Sequence, residues 1–221
     1  MSTVYYQEIQ HVVNQGLAEL SEEQAKGRVP KNPVSETHFI VRWVTKAIKT
    51  HRFDRCVVKD LMGWQQEGRS KGTSAGLKVR FEHISALYGH VVPVESDVKK
   101  ITQDDITALL TQFEEESWFV VTDHEISGKA KLFSDGDNSL VVCKAKLESV
   151  FSDGILAKPL TCYVRGNHNE FLEMTAKAGL LVHKKSDYKS IVKYHGEYQI
   201  WPENQSSELA ELPLSFMPSV K

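Results

Sequence analysis

The stretch Asn32–Lys49 reads NPVSETHFIVRWVTKAIK and decides the fold class of the first third of the chain. Asn32 can cap a helix with its side chain, and Pro33 suits the first helical position because no N–H is needed there. Apolar residues then recur every three or four positions, as one helix face requires. They are Phe39, Ile40, Trp43, Val44, Ala47 and Ile48. The stretch therefore predicts an amphipathic helix, with Arg42, Lys46 and Lys49 on its polar side.

Similar apolar periods on both sides of this helix predict three further helices joined by short connections. One precedes it between Tyr5 and Leu20, one follows the cap residue Asp54, and one begins near Leu77. Helices of this length with short links pack as a bundle. We therefore expect a helical bundle over residues 1–90.

Residues 91–202 have a different character, because short segments rich in β-branched and aromatic residues predict strands. The segments are WFVVTD, SLVVCKA, LTCYVRG, LLVHK, KSIVKY and EYQIW, with SDGDN and HG as turn signals. Thr102 and Asp105 have capping-box spacing before one helix. Asn167 or Asn169 can start another helix, and Gly179 can end it. The predicted class is α+β: the bundle, a mixed-sheet domain with one or two helices and a final hairpin, and a tail over residues 203–221.

The composition is that of an ordinary globular protein, with 41% hydrophobic and 25% charged residues among 221. No apolar run approaches the roughly 18 residues that span a bilayer. The N-terminus has no basic start followed by an apolar stretch, and the three cysteines form no CxxC pair. These features predict a cytoplasmic protein without a membrane partner.

The formal net charge of -2 is unevenly spread along the chain. Between Arg42 and Arg80, ten basic residues oppose three acidic ones, whereas between Glu95 and Glu125 two basic residues oppose nine acidic ones. Such a layout can steer a polyanion to one end of the molecule. It can equally reflect two halves that face each other, or solvated helix faces.

The stretch GWQQEGRSKGT, Gly63–Thr73, differs by Arg69 in place of lysine from the phosphate loop of nucleotide hydrolases. Such a loop follows a strand, whereas residues 54–66 have helical spacing, and a guanidinium does not replace an ammonium there. We expect a helix that ends near Gly68, followed by a flexible turn. The positive charge of this region makes contact with nucleic acid the leading hypothesis. The alternative is that these residues only form a solvated helix face. The candidate contacts are Arg52, Arg55, Arg69, Lys71, Lys78 and Arg80.

A second set of residues consists of Asp123 and His124, Gly136 and Asp137, the motif GNH at 166–168, and later His183 and His195. The order of these residues along the chain resembles that of the metallophosphoesterases. That resemblance implies a divalent-metal-dependent phosphoester hydrolase, since carboxylate and imidazole groups bind paired cations that activate water. The pattern departs from the family, because Asp123 and His124 are adjacent, GDNSL lacks its second acid, Glu170 is displaced by one residue, and the closing GHxH is missing. The alternative is that SDGDN forms a hairpin turn and that GNHNE starts a helix. The candidate ligands are Asp123, Asp137, His168 and His183.

The tail contains ELPLSF, Glu211–Phe216, which resembles the hexapeptides by which bacterial replication and repair proteins dock on the sliding clamp. Glu211 stands where those peptides usually have glutamine. The resemblance implies a protein–protein adaptor in which Leu212, Leu214 and Phe216 fill an apolar groove. The alternative is that the three residues pack on the protein's own domain.

The long stretch NPVSETHFIVRWVTKAIKTHRFDRCVVKDLMGWQQEGRSKG, residues 32–72, resembles a family of small bacterial proteins classified only as a domain of unknown function. The family carries no assigned activity. The resemblance implies a bacterial, cytoplasmic accessory protein. Together with the charge layout, it predicts a non-catalytic protein without a cofactor that binds nucleic acid or a protein partner.

Overall fold

A computed structural model describes residues 4–94, 98–131, 136, 138–187 and 190–217. These residues form two compact units, residues 4–90 with Phe216 and Met217, and Val91–Ser215. The first unit is helical and the second contains a mixed five-stranded sheet with helices, so the predicted α+β class is confirmed.

Crossing a bilayer takes a long apolar helix, and within the described ranges none of the helices meets that requirement.

The helical unit contains four α-helices. They are α1 (Tyr5–Ala25), α2 (Pro33–Lys49), α3 (Val58–Lys71) and α4 (Leu77–Val91), with 3-10 turns at Arg55–Val57 and Gly72–Ala75. Asn32 caps the second helix as predicted, whereas Asp54 caps the 3-10 turn before the third helix rather than that helix itself. The Asn32 side chain accepts a hydrogen bond from the Ser35 N–H at 2.9 Å. The Asp54 side chain accepts one from the Cys56 N–H at 3.0 Å, ahead of α3.

Large aromatic side chains fill the core of the helical unit. The rings of Trp64 and Phe81 lie 4.8 Å apart, and the ring of Trp43 lies 5.6 Å from that of Phe53. All four residues are buried. Because aromatic side chains bury a large apolar area, this cluster joins α2, α3 and α4.

Helix α3 corrects the expected break near Gly68, because it continues to Lys71 and Gly68 lies buried inside it. A Cβ atom at Gly68 would lie 2.3 Å from Val41 Cγ2 and 2.8 Å from Leu77 Cδ1. The glycine therefore serves close packing of α3 against α2 rather than chain reversal. Arg69 and Lys71 consequently occupy the last turn of a helix, not a flexible turn.

The second unit has three α-helices and seven strands among its described residues. The helices are α5 (Gln103–Glu115), α6 (Lys144–Ser149) and α7 (His168–Lys177). The main sheet contains β1 (Phe119–Val121), β2 (Ser139–Val141), β5 (Leu160–Arg165), β6 (Val182–Ser186) and β7 (Gly196–Ile200), while β3 (Phe151–Ser152) and β4 (Ile155–Leu156) form a small hairpin. The order in the main sheet is β1-β2-β5-β7-β6, with β1 parallel to β2 and the other pairs antiparallel.

The two faces of the sheet bury different sets of residues, because successive side chains of a strand alternate between faces. One face packs on α5 and α7, where the rings of Phe113 and Phe171 stack at 5.6 Å. Its strand residues include Leu140, Cys162, Val164, Val182, Tyr198 and Ile200. The other face carries a smaller cluster of Val121, Val141, Tyr163 and Val192. The predicted capping box of Thr102 and Asp105 and the Asn167 cap are both present.

Two turn and strand expectations are corrected by the pairing of the sheet. The described part of KSIVKY forms only a single bridge, between Val192 and Ala130, and the final hairpin is made by β6 and β7 instead. Of SDGDN, only Gly136 and Asn138 lie within the described residues, and the flanking strands β1 and β2 are parallel, so these two strands do not form a hairpin. Sequence periodicity identifies strand-like segments, but tertiary contacts select the partners of each strand.

Substitution of Gly68 tests the close approach of α2 and α3. In Gly68→Ala the added methyl group collides with Val41, so we expect the free energy of unfolding to fall by roughly 1–3 kcal/mol. Gly63, in the same helix, has no atom within 4 Å of the position that a Cβ would take. Gly63→Ala should therefore raise the free energy of unfolding by about 0.5–1 kcal/mol through better helix propensity. Urea unfolding followed by circular dichroism measures both, and equal shifts of the two variants would contradict the packing role of Gly68.

Candidate functional site

A basic groove lies along α2 on the side that faces α3. One part, of about 570 Å³, is lined by Arg28, His38, Arg42 and Arg69 among others. An adjoining part of about 490 Å³ shares Arg42 and Arg69 and adds Lys46 and Lys49. Among the described residues, no aspartate or glutamate lines either part. We use the name basic groove for the surface formed by Arg28, His38, Arg42, Lys46, Lys49 and Arg69.

Helical spacing and a small polar cluster position the side chains of the groove. Arg42 and Lys46 are one turn apart on α2, so their side chains share a face. Thr45 Oγ1 donates to the Val41 carbonyl at 2.7 Å and accepts from Gln65 Nε2 at 2.8 Å. Arg69 Nη2 also donates to Thr45 Oγ1, at 3.4 Å. This cluster ties α3 to α2, and Arg69 and Arg42 line the same groove.

The cations of the groove differ in how far the protein neutralises them. Within the described ranges, Arg42, Lys46 and Lys49 form no ion pair, whereas Arg28 Nη1 lies 3.3 Å from Glu23 Oε1. Three glutamates of α1 line a separate concavity that also contacts Arg42 and Lys46; they are Glu19, Glu22 and Glu23. Arg42 and Lys46 therefore border both the basic groove and this acidic concavity, whereas Lys49 and Arg69 line the groove but not the concavity.

Most of the contacts predicted from the sequence hold intramolecular ion pairs. Arg52 lies 2.5 Å from Glu19 and over the Trp43 ring, at 5.4 Å from its centroid. Arg80 and Lys71 lie 2.7 and 3.8 Å from Glu67. Lys78 lies 3.0 Å from Glu36, and Arg55 is exposed without an ion pair in the described part of the chain.

Arg69 is therefore the one predicted contact that lines the basic groove. Arg42, Lys46 and Lys49 are not among the contacts predicted from the sequence, although their spacing places them together on the polar side of α2. The information that was missing is the position of each acidic partner. Glu19 and Glu67 are distant in sequence from Arg52 and Arg80, so only the tertiary structure shows which cations are paired.

The residues of the metal alternative occupy separate places. Asp123 is exposed and its Oδ1 lies 2.6 Å from His124 Nδ1, while Asp137 lies outside the described residues. His168 starts α7 and its Nδ1 lies 2.6 Å from the Tyr198 hydroxyl, on the sheet face that packs on α7. His183 follows Val182 on β6 and is on the opposite face. Within the described ranges, no group of three or more histidine, cysteine or acidic residues is placed to hold a metal ion.

Candidate nucleophiles are buried or protonated. Burial raises the pKa of the Cys56 and Cys162 thiols to about 12, so neither forms a thiolate at neutral pH. Ser139 Oγ lies 2.9 Å from His195 Nε2, a pairing of residues far apart in sequence that no motif predicts. Ser139 and His195 are only 1% and 0% exposed, so a substrate has no access to the hydroxyl. The pair is a structural contact in this fold.

The segment that resembles a docking peptide is attached to its own units. The Glu211 N–H donates to the Val182 carbonyl at 2.9 Å, and the Leu214 N–H donates to Asn169 Oδ1 at 2.8 Å. Leu212 is half-buried and Leu214 is 61% exposed. The Phe216 ring lies 5.2 Å from the ring of His90. The extended peptide that groove binding requires is therefore not present in this conformation.

These features define a class: an α+β protein whose helical unit bears a basic groove. The family model described as "Protein of unknown function (DUF2913)" matches residues 4–213, so the chain belongs to this family. The resemblance to an uncharacterised family that was found in the sequence is thereby confirmed. No curated protein and no solved structure matches the chain.

The pH dependence of stability tests the burial of His183. Burial lowers the pKa of His183 from 6.5 to about 4. Below about pH 6.5 the unfolded chain gains a proton that the folded protein does not bind, so stability falls as the pH decreases from about 6.5 to about 4 and this component then levels off. The loss from this group is about 3 kcal/mol at most.

The measurement is the free energy of unfolding near neutral pH and near the lower end of that window. His183→Gln should show a smaller loss of stability between the two conditions than the wild type. The exposed His51 supplies the control, since His51→Asn keeps a residue that tolerates its positive φ of 47°. A wild-type loss that persists in His183→Gln would show that His183 is not buried in its neutral form.

Proposed function

We propose that this protein binds nucleic acid through the basic groove, as a non-catalytic accessory protein of the bacterial cytoplasm. The observation that carries the proposal is the row of cations on α2, completed by Arg69 of α3, in a groove without acidic lining residues in the described chain. Phosphate backbones are bound by Lys and Arg side chains, and the release of their counter-ions drives the association.

The geometry of the groove supports phosphate contacts in particular. Arg42 and Arg69 both line its two parts, and a guanidinium can donate two parallel hydrogen bonds to a phosphate. Ser35 in the groove wall offers a further neutral donor. The side chains are supplied by helices that are packed closely at Gly68, so a ligand meets a groove whose backbone is already ordered.

The ion pairs of the unit favour this groove over the wider basic region. Arg52, Lys78 and Arg80 contact Glu19, Glu36 and Glu67 at 3.0 Å or less, so contact with phosphate would require each to leave a carboxylate. Arg42, Lys46 and Lys49 carry no such cost. We therefore assign the principal contacts to Arg42, Lys46, Lys49 and Arg69.

The salt dependence of binding tests the proposed groove. We expect the wild-type protein to bind a fluorescent oligonucleotide with an affinity that falls steeply as salt rises. In the double variant Arg42→Gln/Arg69→Gln two phosphate contacts are lost, so the negative slope of log K against log salt should become shallower by about two. Fluorescence anisotropy over a salt series measures both quantities.

A matched control separates the groove from net charge. Lys158 and Lys177 are exposed in the second unit, and Lys158→Gln/Lys177→Gln removes the same total charge. Binding by this control should keep the wild-type slope. No binding by the wild type at low salt would refute the proposed function, and equal losses in the two double variants would refute the groove as its site.

A further inference from the structure

The second unit presents one aromatic residue in an unusual way. Tyr194 is 48% exposed, and its φ of +69° lies in the left-handed region that bulky side chains seldom adopt. Such a conformation costs free energy and persists only where the surrounding structure fixes it. An exposed aromatic ring on strained backbone therefore requires a reason.

A buried hydrogen-bond network fixes the backbone on both sides of Tyr194. His195 Nδ1 lies 2.9 Å from the Lys193 carbonyl, which can only accept, so this nitrogen carries the proton. His195 Nε2 then accepts from the Ser139 hydroxyl at 2.9 Å. Burial lowers the pKa of His195, which keeps the ring neutral and the two bonds in this arrangement.

The Ser190 hydroxyl and the Ala130 backbone complete the anchoring of this loop. The Ser190 hydroxyl lies 2.7 Å from the Val192 carbonyl and 2.8 Å from the His195 carbonyl. The Ala130 N–H donates to the Ile191 carbonyl at 2.9 Å, and the Lys193 N–H donates to the Ala130 carbonyl at 2.8 Å. The loop is thus held at each end, and Tyr194 is left at its exposed tip.

A lysine side chain lies against the exposed ring. Lys193 Nζ lies 4.8 Å from the centroid of the Tyr194 ring. Hydrogen bonding and charge from Lys193, followed by the charges of Lys131 and Arg165, lower the pKa of the Tyr194 hydroxyl. Ile191, 41% exposed, adds apolar surface to the same loop. An aromatic ring beside cations is the combination by which proteins hold the bases and phosphates of single strands.

We propose that Tyr194 is a stacking platform for an unpaired base, with Lys193 and Arg165 contacting the adjacent phosphates, so that the nucleic acid this protein binds is single-stranded. This inference rests on the proposed function and names its substrate class. A base in a duplex is stacked between its neighbours and does not reach an aromatic side chain, whereas a base in a single strand does. The fixed loop lowers the ordering cost of binding, because the ring is already presented.

The experiment compares three labelled ligands by fluorescence anisotropy: an oligothymidine strand, a duplex of the same length, and a strand of the same length made of abasic sites. Tyr194→Asn removes the ring, and asparagine tolerates the left-handed backbone, so this variant should fold. Tyr194→Gly, which also accepts this backbone, is a second ring-free variant, and Tyr194→Phe keeps the ring. Circular dichroism and thermal unfolding confirm that each variant retains the fold.

We expect both ring-free variants to bind the oligothymidine strand roughly 5- to 100-fold more weakly than the wild type. Their affinity for the duplex and for the abasic strand should be unchanged, and Tyr194→Phe should bind like the wild type. Unchanged oligothymidine binding in the ring-free variants, or an equal loss on the abasic strand or the duplex, would overturn base stacking at Tyr194.

The same ligands distinguish this inference from the proposed function. If Arg42→Gln/Arg69→Gln loses binding to all three ligands while Tyr194→Asn binds each like the wild type, the groove stands and the stacking site is overturned. If the wild type binds none of the three at low salt, the proposed function fails and the stacking site fails with it. If the Tyr194 loop binds a protein instead of nucleic acid, the expected result is that the wild type binds none of the three ligands.

Discussion

The packing of α3 against α2 at Gly68 is the constraint on which the helical unit depends. With hydrogen in place of a Cβ atom, the backbone of α3 approaches Val41 to a distance that no other residue permits. That approach brings Thr45 within reach of Gln65 and Arg69, and the three side chains then form one hydrogen-bonded cluster. Val41 and Gly68 both line the basic groove, so the close approach of the two helices there and the position of Arg69 follow from the absence of a methyl group at Gly68.

Ion pairing then decides which cations of a basic region remain available to a ligand. Glu19, Glu36 and Glu67 each contact one of the region's cations at 3.0 Å or less, and they belong to three different helices. These half-buried pairs reduce the local positive potential where they form. Arg42, Lys46 and Lys49 of α2 form no ion pair within the described ranges, so the positive potential at these residues is not reduced in this way. Local charge density in a sequence is therefore a poor guide to a binding surface until the acidic partners are placed.

In the second unit, strand alternation separates residues that the order of the sequence brings together. His168 and His183 lie on opposite faces of the sheet, so a histidine-rich pattern along the chain does not become a cluster in space. The same fold joins Ser139 to His195, which no spacing rule links. Their hydrogen bond supports a loop rather than a reaction, because both side chains are inaccessible to solvent. The hydrogen bond between Ser139 and His195 therefore helps to hold the loop that carries Tyr194.

The sequence by itself determined the α+β class, the caps at Asn32 and Thr102, and the family, because helical periodicity and capping depend on residues within a few positions of each other. It did not determine that Gly68 lies inside a helix. The sequence alone does not distinguish a glycine that ends a helix from a glycine that permits close packing of two helices. Nor did it determine which strand pairs with β7, or which arginines and lysines are neutralised. Those outcomes depend on contacts between residues far apart in the chain, such as Arg52 with Glu19 and His195 with Ser139, and only the tertiary structure brings such residues together.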